Sequence, residues 1–300
     1  MELIIAGDLV PTDSNRELFI NGELEKLLGS ELLSIWEKVD YRIFNLEAPL
    51  FDMDSPINKW GPNLKAPEKS IEGIKKLNPN LVTLANNHIL DHGAEGLYRT
   101  QKLLNENNIS FIGAGSNLNE ASKPFILNKD GVKIGFYACA ENEFSIATND
   151  SPGANPFDPL ESLDHISKLK DKTDYVIVLY HGGKEHYRYP SPYLQKVCRK
   201  IVEKGADLVV CQHSHSIGAY EEYKNSTIIY GQGNFIFNLK DNEYWNTSIL
   251  VKVVIKNKVS IEYLPIVKTK EGTRLASDKE AREIIYYFKL RSEEIKSEEF

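Results

Sequence analysis

Side chains of the metal-ligand type recur directly after the predicted strands, and this recurrence constrains the fold more than any other feature of the sequence. Short β-rich runs alternate with helical patterns, which is typical of an α/β protein containing parallel strands. Because the carboxyl ends of parallel strands meet at one edge of a sheet, we expect these side chains to lie close together. The side chains are Asp8, Glu47, Asn87, His181, His213 and His215.

The hydrophobic pattern predicts the position of most elements. Strands are expected over 3–8, 42–47, 81–87, 175–180, 208–211 and 227–230, and helices over 23–39, 70–77, 96–105, 159–170 and 192–204. Two long segments, 52–67 and 141–158, are rich in Pro and Gly and are predicted to be functional loops.

Hairpin signals dominate the later part of the chain. One hairpin is predicted over 125–138, and a second joins 249–255 to 259–267 around Lys256-Asn257-Lys258. Ser277 and Glu280 form a capping box that opens a C-terminal helix. Parallel strands early and hairpins late indicate two sheets packed together with helices outside. No linker is evident, so we expect one domain over 1–300, with a motif-bearing core over 1–240 and a C-terminal hairpin and helix over 245–300.

Charge and cysteine content restrict the classes of function. The net charge is −7, which argues against nucleic-acid binding, since that requires a basic surface. A small anionic or phosphorylated substrate fits only if the site supplies local positive charge, as metal ions would. Three cysteines, Cys139, Cys198 and Cys211, lie among apolar residues and are predicted to be buried free thiols in a reducing compartment.

No segment has the features of a membrane anchor or a secretion signal. Apolar runs fall well short of the roughly 20 residues that span a bilayer. The first residues begin a strand without a basic region or an apolar signal core. We therefore expect a cytoplasmic protein without membrane insertion; its oligomeric state is left open.

The candidate ligands combine carboxylate, amide and imidazole groups. A set without cysteine suits Mn, Fe or Zn in a reactive site better than a structural zinc. Six ligands exceed what one ion usually takes from a protein, so two divalent ions sharing a bridging carboxylate are predicted.

Several stretches match one family in order. They are Gly7-Asp8, Asn45-Leu46-Glu47-Ala48-Pro49, Asn86-Asn87-His88 with Asp91, His181-Gly182-Gly183 with Glu185, His213-Ser214-His215, and Gly231-Gln232-Gly233-Asn234. The chain resembles the bacterial capsule-synthesis CapA (PGA_cap) proteins, a branch of the calcineurin-like metallophosphoesterase superfamily. The resemblance implies a metallophosphoesterase-like sandwich of two β-sheets flanked by helices on both faces.

The resemblance also implies roles for individual residues. Glu47 is similar to the bridging carboxylate; Asp8 and His215 would bind one ion, and Asn87, His181 and His213 the other. His88 is similar to the histidine that contacts the scissile phosphate or protonates the leaving group, and Asp91 would orient it. The wider superfamily has histidine where this chain has Val10, and Asp where it has Glu47, so weaker binding of the first ion is expected.

Substrate contacts and activity are predicted last. We expect Asn45, Lys65, Glu185 and Asn234 to contact substrate; Lys59 lies in the same loop as Lys65. The leading hypothesis is a metal-dependent phosphoesterase. The alternatives are a non-hydrolytic factor in synthesis or export of an anionic polymer such as poly-γ-glutamate, and hydrolysis of a non-phosphate bond such as an amide.

Overall fold

The computed structural model of the protein describes residues 1–141, 144–238, 242–256 and 259–297. Within these ranges, the strands form two main sheets and one small two-stranded sheet. Both main sheets mix parallel and antiparallel pairs. The predicted α/β sandwich is confirmed.

Sixteen strands lie in the described ranges. They are β1 (Glu2–Val10), β2 (Tyr41–Leu46), β3 (Leu81–Thr83), β4 (Phe111–Ile112), β5 (Ala114–Gly115), β6 (Phe125–Lys129), β7 (Val132–Ala140), β8 (Gly153–Ala154), β9 (Tyr175–His181), β10 (Leu208–Gln212), β11 (Tyr220–Tyr223), β12 (Ser226–Ile229), β13 (Asn234–Phe237), β14 (Thr247–Ile255), β15 (Val259–Lys268) and β16 (Thr273–Leu275).

Nine α-helices lie in the same ranges. They are α1 (Arg16–Asn21), α2 (Leu24–Leu28), α3 (Ser30–Lys38), α4 (Ile71–Lys76), α5 (Gly93–Glu106), α6 (Leu118–Ala121), α7 (Ser162–Lys170), α8 (Pro192–Glu203) and α9 (Asp278–Ser297). Short 3₁₀ turns cover Glu68–Ser70 and Glu243–Trp245. None of these helices is both long and apolar enough to cross a membrane.

The first sheet has the order β16-β15-β14-β1-β2-β3-β4 and the second the order β11-β12-β10-β9-β7-β6. Strand β1 is central to the first sheet, because its first half pairs with β14 and its second half with β13. Strands β1, β2 and β3 run parallel, as do β7, β9 and β10. The carboxyl ends of both parallel groups form the candidate site.

Alternating side chains on the second sheet divide the core. Ile177 and Leu179 of β9 belong to the large apolar cluster that also contains the side chains of β1 and β2. Val176 and Val178 belong to a second cluster with the apolar faces of α7 and α8. Successive residues of a strand point to opposite faces, so β9 packs against the first sheet on one side and against helices on the other.

Helices also cover the first sheet. Trp36 of α3 stacks on Phe235 of β13 with ring centroids 4.8 Å apart, and its indole donates a hydrogen bond to the carbonyl of Leu77. The helix predicted over 23–39 is interrupted at Gly29, whose φ of 68° lies in the left-handed region that favours glycine. The interruption turns α3 onto the sheet.

The C-terminal region contacts both sheets. The hairpin of β14 and β15 extends the first sheet beside β1, while α9 packs against β15 and also against β11 of the second sheet. The predicted capping box is present, since the backbone N–H of Ser277 donates to the Glu280 carboxylate over 2.8 Å. The predicted turn residues Asn257 and Lys258 lie outside the described residues.

The three cysteines are buried and free, as predicted. The Sγ atoms of Cys198 and Cys211 lie 3.6 Å apart, and burial raises the pKa of the Cys198 thiol. These two thiols lie in the apolar cluster between α8 and β10.

Candidate metal centre

The six predicted ligands converge between the carboxyl ends of the two sheets. Asp8 lies within β1 rather than at its end, and Glu47 follows β2 directly. Asn87 lies four residues beyond β3, which ends earlier than predicted. His181 is the last residue of β9, and His213 and His215 lie just past the end of β10.

A close approach of two backbones fixes the position of Asp8. A Cβ atom on Gly7 would lie 1.9 Å from the carbonyl oxygen of Gly233, so only glycine fits beside β13 there. The register of β1 against β2 shifts between Ile5 and Asp8, which marks a local irregularity of the strand. The carboxylate of Asp8 is thereby fully buried next to the histidines.

Two groups of buried ligand atoms share one carboxylate. One group contains Glu47, His181 and His213, and the other contains Asp8, Glu47 and His215. Within each group the ligand atoms lie within 4.8 Å of one another. Each group could hold a metal ion, and Glu47 would then lie between the two.

Asn87 adds an oxygen to the group of His181. The Oδ1 atom of Asn87 lies 3.0 Å from Nε2 of His181, and the same nitrogen lies 3.2 Å from Oε1 of Glu47. Three potential ligand atoms of different chemistry thus surround one position. Oxygen and imidazole donors together suit a divalent transition metal.

The environment of Glu47 fits a bound cation. Its side chain is fully buried, and neither carboxylate oxygen forms a hydrogen bond with the described residues. Burial, reinforced by the nearby Asp8 carboxylate, raises the pKa of Glu47 well above its usual value. A buried carboxylate without hydrogen bonds is costly for the protein alone, and a metal ion would satisfy both oxygens.

The histidines differ in their electrostatic environment. Burial lowers the pKa of His213 well below its usual value, and the charges of His181 and His215 act in the same direction. Burial opposes protonation of His215 too, but the negative charge of Glu47 and a hydrogen bond with Asp8 raise its pKa to about 9. A metal ion would compete with this proton for the imidazole of His215.

Backbone strain accompanies the histidine loop. His213 has a φ of 88° and His215 a φ of 52°, both in the left-handed region that residues other than glycine rarely adopt. Such conformations cost of order 1–3 kcal/mol each and concentrate at functional sites. The strain aims two imidazoles from a three-residue segment towards the shared Glu47.

Asn45 was predicted to contact substrate, but it lies fully buried beneath the ligands. Its Nδ2 donates to Oδ1 of Asp8 over 2.8 Å and lies 3.3 Å from Nδ1 of His181. Its Oδ1 accepts hydrogen bonds from Thr83 and Asn86, both at 3.0 Å. The geometry therefore supports a role in orienting Asp8 and His181 rather than contact with a substrate.

Asn234, also predicted to contact substrate, orients a histidine in a similar way. Nδ1 of His215 lies 2.9 Å from Oδ1 of Asn234, which can accept its proton, and 3.5 Å from Oδ2 of Asp8. Asn234 pairs with Asp8 across β13 and β1, so the backbone of the sheet sets this contact. The Nδ2 of Asn234 is buried without a hydrogen bond to the described residues.

His88 and Asp91 form a buried pair beside Asn87. Nδ1 of His88 donates to Oδ2 of Asp91 over 2.6 Å, and the same oxygen accepts the backbone N–H of Leu64 at 2.6 Å. Burial lowers the pKa of His88, while Asp91 opposes that effect. Asp91 therefore both orients His88 and anchors the loop over 52–67.

Lys59, rather than Lys65, reaches this pair. The ammonium of Lys59 forms an ion pair with Asp91 and lies 3.2 Å from Nδ1 of His88, and its side chain is only 2% exposed. Lys65 instead bonds the carbonyl of Met53 at 2.9 Å and pairs with Asp54 within its own loop. The contacts of Lys65 do not support the predicted substrate role.

The remaining candidates lie at the margin. Glu185 is exposed, and its negative charge contributes to the raised pKa of Glu47, so it lies near the mouth of the site. Val10 packs with Phe237 and Trp245 in a small apolar cluster beside His215. The indole of Trp245 donates to Nε2 of His186 over 2.8 Å.

Sequence reasoning assigned no role to two residues that support the site. Asn86 donates to the carbonyl of Leu46 at 2.9 Å and accepts the backbone N–H of His88, which fixes the turn that carries Asn87. Ser145, from the loop over 141–158, donates to the carbonyl of Asn87 over 2.7 Å. The adjacent asparagines Asn86 and Asn87 were a sequence signal for the role of Asn86. The sequence contains no comparable signal for Ser145.

Solved structures with the same fold include phosphatases and nucleotidases. A putative 5′-nucleotidase from Staphylococcus aureus, solved in complex with α-ketoglutarate, has a TM-score of 0.56 at 14% identity. The match covers 95% of this chain and 57% of the nucleotidase chain. A phosphatase from Mycoplasma pneumoniae has a TM-score of 0.53 at 16% identity, and the match covers 89% of this chain and 93% of the phosphatase chain. At these identities the likeness shows the fold alone.

Named relatives come from capsule biosynthesis. The capsule biosynthesis protein CapA of Bacillus anthracis is 33% identical over 208 residues, which is 66% of this chain and 51% of the relative. The PGA biosynthesis protein CapA of Bacillus subtilis is 32% identical over 180 residues, 59% of this chain and 47% of the relative. The chain thus spans about half the length of these relatives. Residues 2–239 match the family described as bacterial capsule synthesis protein PGA_cap, and the chain belongs to that family.

Proposed function

We propose that the protein is a metal-dependent hydrolase of phosphoesters with two divalent ions at its centre. One observation carries the proposal: Glu47 belongs to both ligand groups, and neither of its buried oxygens forms a hydrogen bond within the part of the chain that the structure describes. A shared carboxylate between two sets of ligands is the arrangement of two-metal hydrolases. The common fold with phosphatases supports this reading as an analogy.

The two ions would be held by different donor sets. Asn87, His181 and His213 would bind one, and Asp8 and His215 the other, with Glu47 between them. Mixed oxygen and imidazole donors favour Mn, Fe or Zn. When bound, such ions supply Lewis-acid activation of water and neutralise charge on a phosphoryl group.

The protein side chains would position the proton and donate it to the leaving group. His88 is placed as the general acid for the leaving oxygen, because Asp91 fixes its Nδ1 and leaves Nε2 to face a reactant. Burial favours neutral His88, and a bound phosphate dianion would favour its protonated form. Lys59 would hold Asp91 in place from the loop.

A second candidate follows from the names of the relatives. Proteins named for capsule and PGA biosynthesis are about one-third identical to this chain. The same centre would then bind an anionic polymer without cleaving a phosphoester, or cleave an amide bond in it. This candidate predicts metal binding without phosphatase activity.

Metal analysis combined with a phosphatase screen tests the proposal. The purified protein should contain divalent metal and should hydrolyse one or more nucleotides or sugar phosphates when Mn is added. His213→Ala should lose metal and activity together. His88→Ala should keep its metal while the rate falls about 10²- to 10⁴-fold, the usual scale for a lost general acid.

The leaving group provides the matched control. An activated leaving group such as p-nitrophenolate needs less protonation, so His88→Ala should lose less activity on it than on an alkyl phosphate. Metal binding without hydrolysis of any phosphoester would favour the polymer role. Loss of metal from His88→Ala would contradict the division between ligands and acid.

A further inference from the structure

A second pocket, whose lining includes two arginines and three glutamates, lies beside Tyr244, the neighbour of Trp245 in the chain. The cavity measures about 300 Å³ and is lined by Arg188, Ile217, Tyr244, Ile284, Tyr287 and Arg291 among others. Trp245 packs on His215 with ring centroids 4.7 Å apart, and the adjacent Tyr244 lines the cavity. The cavity therefore neighbours the metal centre but shares none of its ligands.

Arg291 is buried, and its side chain forms one hydrogen bond with the residues that the structure describes. It is 7% exposed, and its Nε donates to the carbonyl of Gly218 over 2.8 Å. Among the described residues, the guanidinium forms no ion pair and its terminal nitrogens form no hydrogen bond; these nitrogens are not fully enclosed, and Arg291 lines the cavity. A buried arginine normally has a counter-ion, because burying an unpaired charge is costly.

Arg188 places a second positive charge in the same cavity. Its guanidinium lies over the ring of Tyr244, 4.8 Å from the centroid, and forms no ion pair with the described residues. Burial and the charge of Arg188 lower the pKa of Arg291 to about 10. Two arginines that repel each other are stable together when an anion lies between them.

The acidic residues of the cavity do not neutralise this pair. Glu280 is held by Arg274, with Nη2 and Oε1 2.7 Å apart. Glu243 and Glu283 are exposed, and neither pairs with the two arginines. Glu294, which acts on Arg291 from a distance, accepts a hydrogen bond from Tyr189 at 2.6 Å.

We propose that Arg188 and Arg291 form a binding site for an oxyanion, a carboxylate or a phosphate group, separate from the metal centre. Guanidinium groups bind both anions with paired hydrogen bonds, and the unused nitrogens of Arg291 provide the donors. The aromatic ring of Tyr244 holds the guanidinium of Arg188 in position.

Calorimetric titration of the full chain tests the site. Inorganic phosphate and glutarate serve as phosphate and carboxylate probes, and each titration is run with Mn and with chelator, so that binding at the metal centre is separated. At least one probe should bind in both conditions. Arg188→Met and Arg291→Met should each weaken that binding about tenfold or more, the loss expected for a charged hydrogen bond.

Arg282→Met is the matched control, because Arg282 is an exposed arginine on the same helix α9; its affinity should stay within about twofold of the parent. Arg291→Met removes a buried contact and can fold poorly for that reason. In that case Arg188→Met decides the outcome. No binding of either probe, or equal affinity in the parent and Arg188→Met, would overturn the proposal.

Melting curves distinguish a binding role from a structural role. Without added anion, Arg188→Met should melt at the parent temperature or slightly above, because its repulsion with Arg291 is removed. Phosphate or glutarate should raise the melting temperature of the parent more than that of the variant. A clear loss of stability in Arg188→Met without anion would show a structural role and contradict the site.

Discussion

Replacing Glu47 by Gln should change the stability of the protein in opposite directions with and without metal. The substitution keeps the shape of the side chain and removes its charge. Glu47 is fully buried beside the Asp8 carboxylate, and its oxygens form no hydrogen bond with any described residue. Without metal, the charge of Glu47 is therefore destabilising. With metal, the same carboxylate would be the ligand that both groups share.

The metal-free effect depends on pH, and its sign follows from the raised pKa of Glu47. A carboxyl whose pKa is raised by folding contributes its full stability below its unfolded pKa, about 4.5, and loses that contribution as the pH rises through the folded pKa. Glu47→Gln lacks this titration. In chelator, the variant and the parent should have the same melting temperature near pH 4.5. As the pH rises towards 8, the melting temperature of the variant should exceed that of the parent by a growing margin.

The magnitudes are measurable. A rise of one in the pKa corresponds to about 1.4 kcal/mol, and a chain of this size shifts its melting temperature by about 2 °C per kcal/mol. Metal at 100 times its dissociation constant stabilises the parent by about 2.7 kcal/mol, or about 5 °C. Manganese should therefore reverse the order of the two proteins at pH 8.

Differential scanning fluorimetry of both proteins, in chelator and in excess Mn, measures the reversal. Glu185→Gln is the matched control, because Glu185 is an exposed carboxylate near the site that belongs to neither ligand group; its melting temperatures should follow the parent. The reasoning is refuted if Glu47→Gln melts below the parent in chelator at pH 8, or if it keeps the full manganese shift.

Three further substitutions and one control variant test neighbouring features. Lys59→Met removes the ammonium that holds Asp91, so kcat should fall up to about 10²-fold, whereas Lys65→Met should remain near the parent in the same assay. Gly7→Ala places a Cβ against a carbonyl oxygen and should lower the melting temperature by about 6 °C or more. Val10→His buries an imidazole in an apolar cluster at about 1–3 kcal/mol, visible as a lower melting temperature in chelator, and Mn should restore part of the loss if the imidazole binds the ion beside Asp8.

The sequence predicted the fold because the pattern of strands and helices is regular over most of the chain. Strands β1, β9 and β10 match the prediction to within two residues at each end. The short strands β4, β5 and β8 have only two residues each and carry no periodic signal. Strand β13 was not predicted; it directly follows the glycine-rich segment Gly231-Gln232-Gly233.

The sequence also predicted which ligand-type residues meet, since each lies at or near the carboxyl end of a strand of a parallel group. The roles of Asn45, Asn234 and Lys65 could not be derived in the same way. Each role depends on which partner lies within hydrogen-bond distance, and those partners come from distant strands or from loop geometry. Asn45, for example, contacts Asp8 and His181, which are 37 and 136 residues away in sequence.

Position 10 shows how such partners change the chemistry of a site. Val10 lies two residues after Asp8 in β1, beyond a shift in register against β13, and its side chain packs with Phe237 and Trp245. Trp245 also packs on His215. A metal ion bound by Asp8 and His215 would therefore have the apolar side chains of Val10 and Trp245 nearby instead of a further histidine. Trp245 in turn donates to His186, and Tyr244 beside it contacts Arg188. Trp245 therefore occupies one side of His215 in the candidate metal centre, and the adjacent Tyr244 positions Arg188 of the proposed oxyanion pocket.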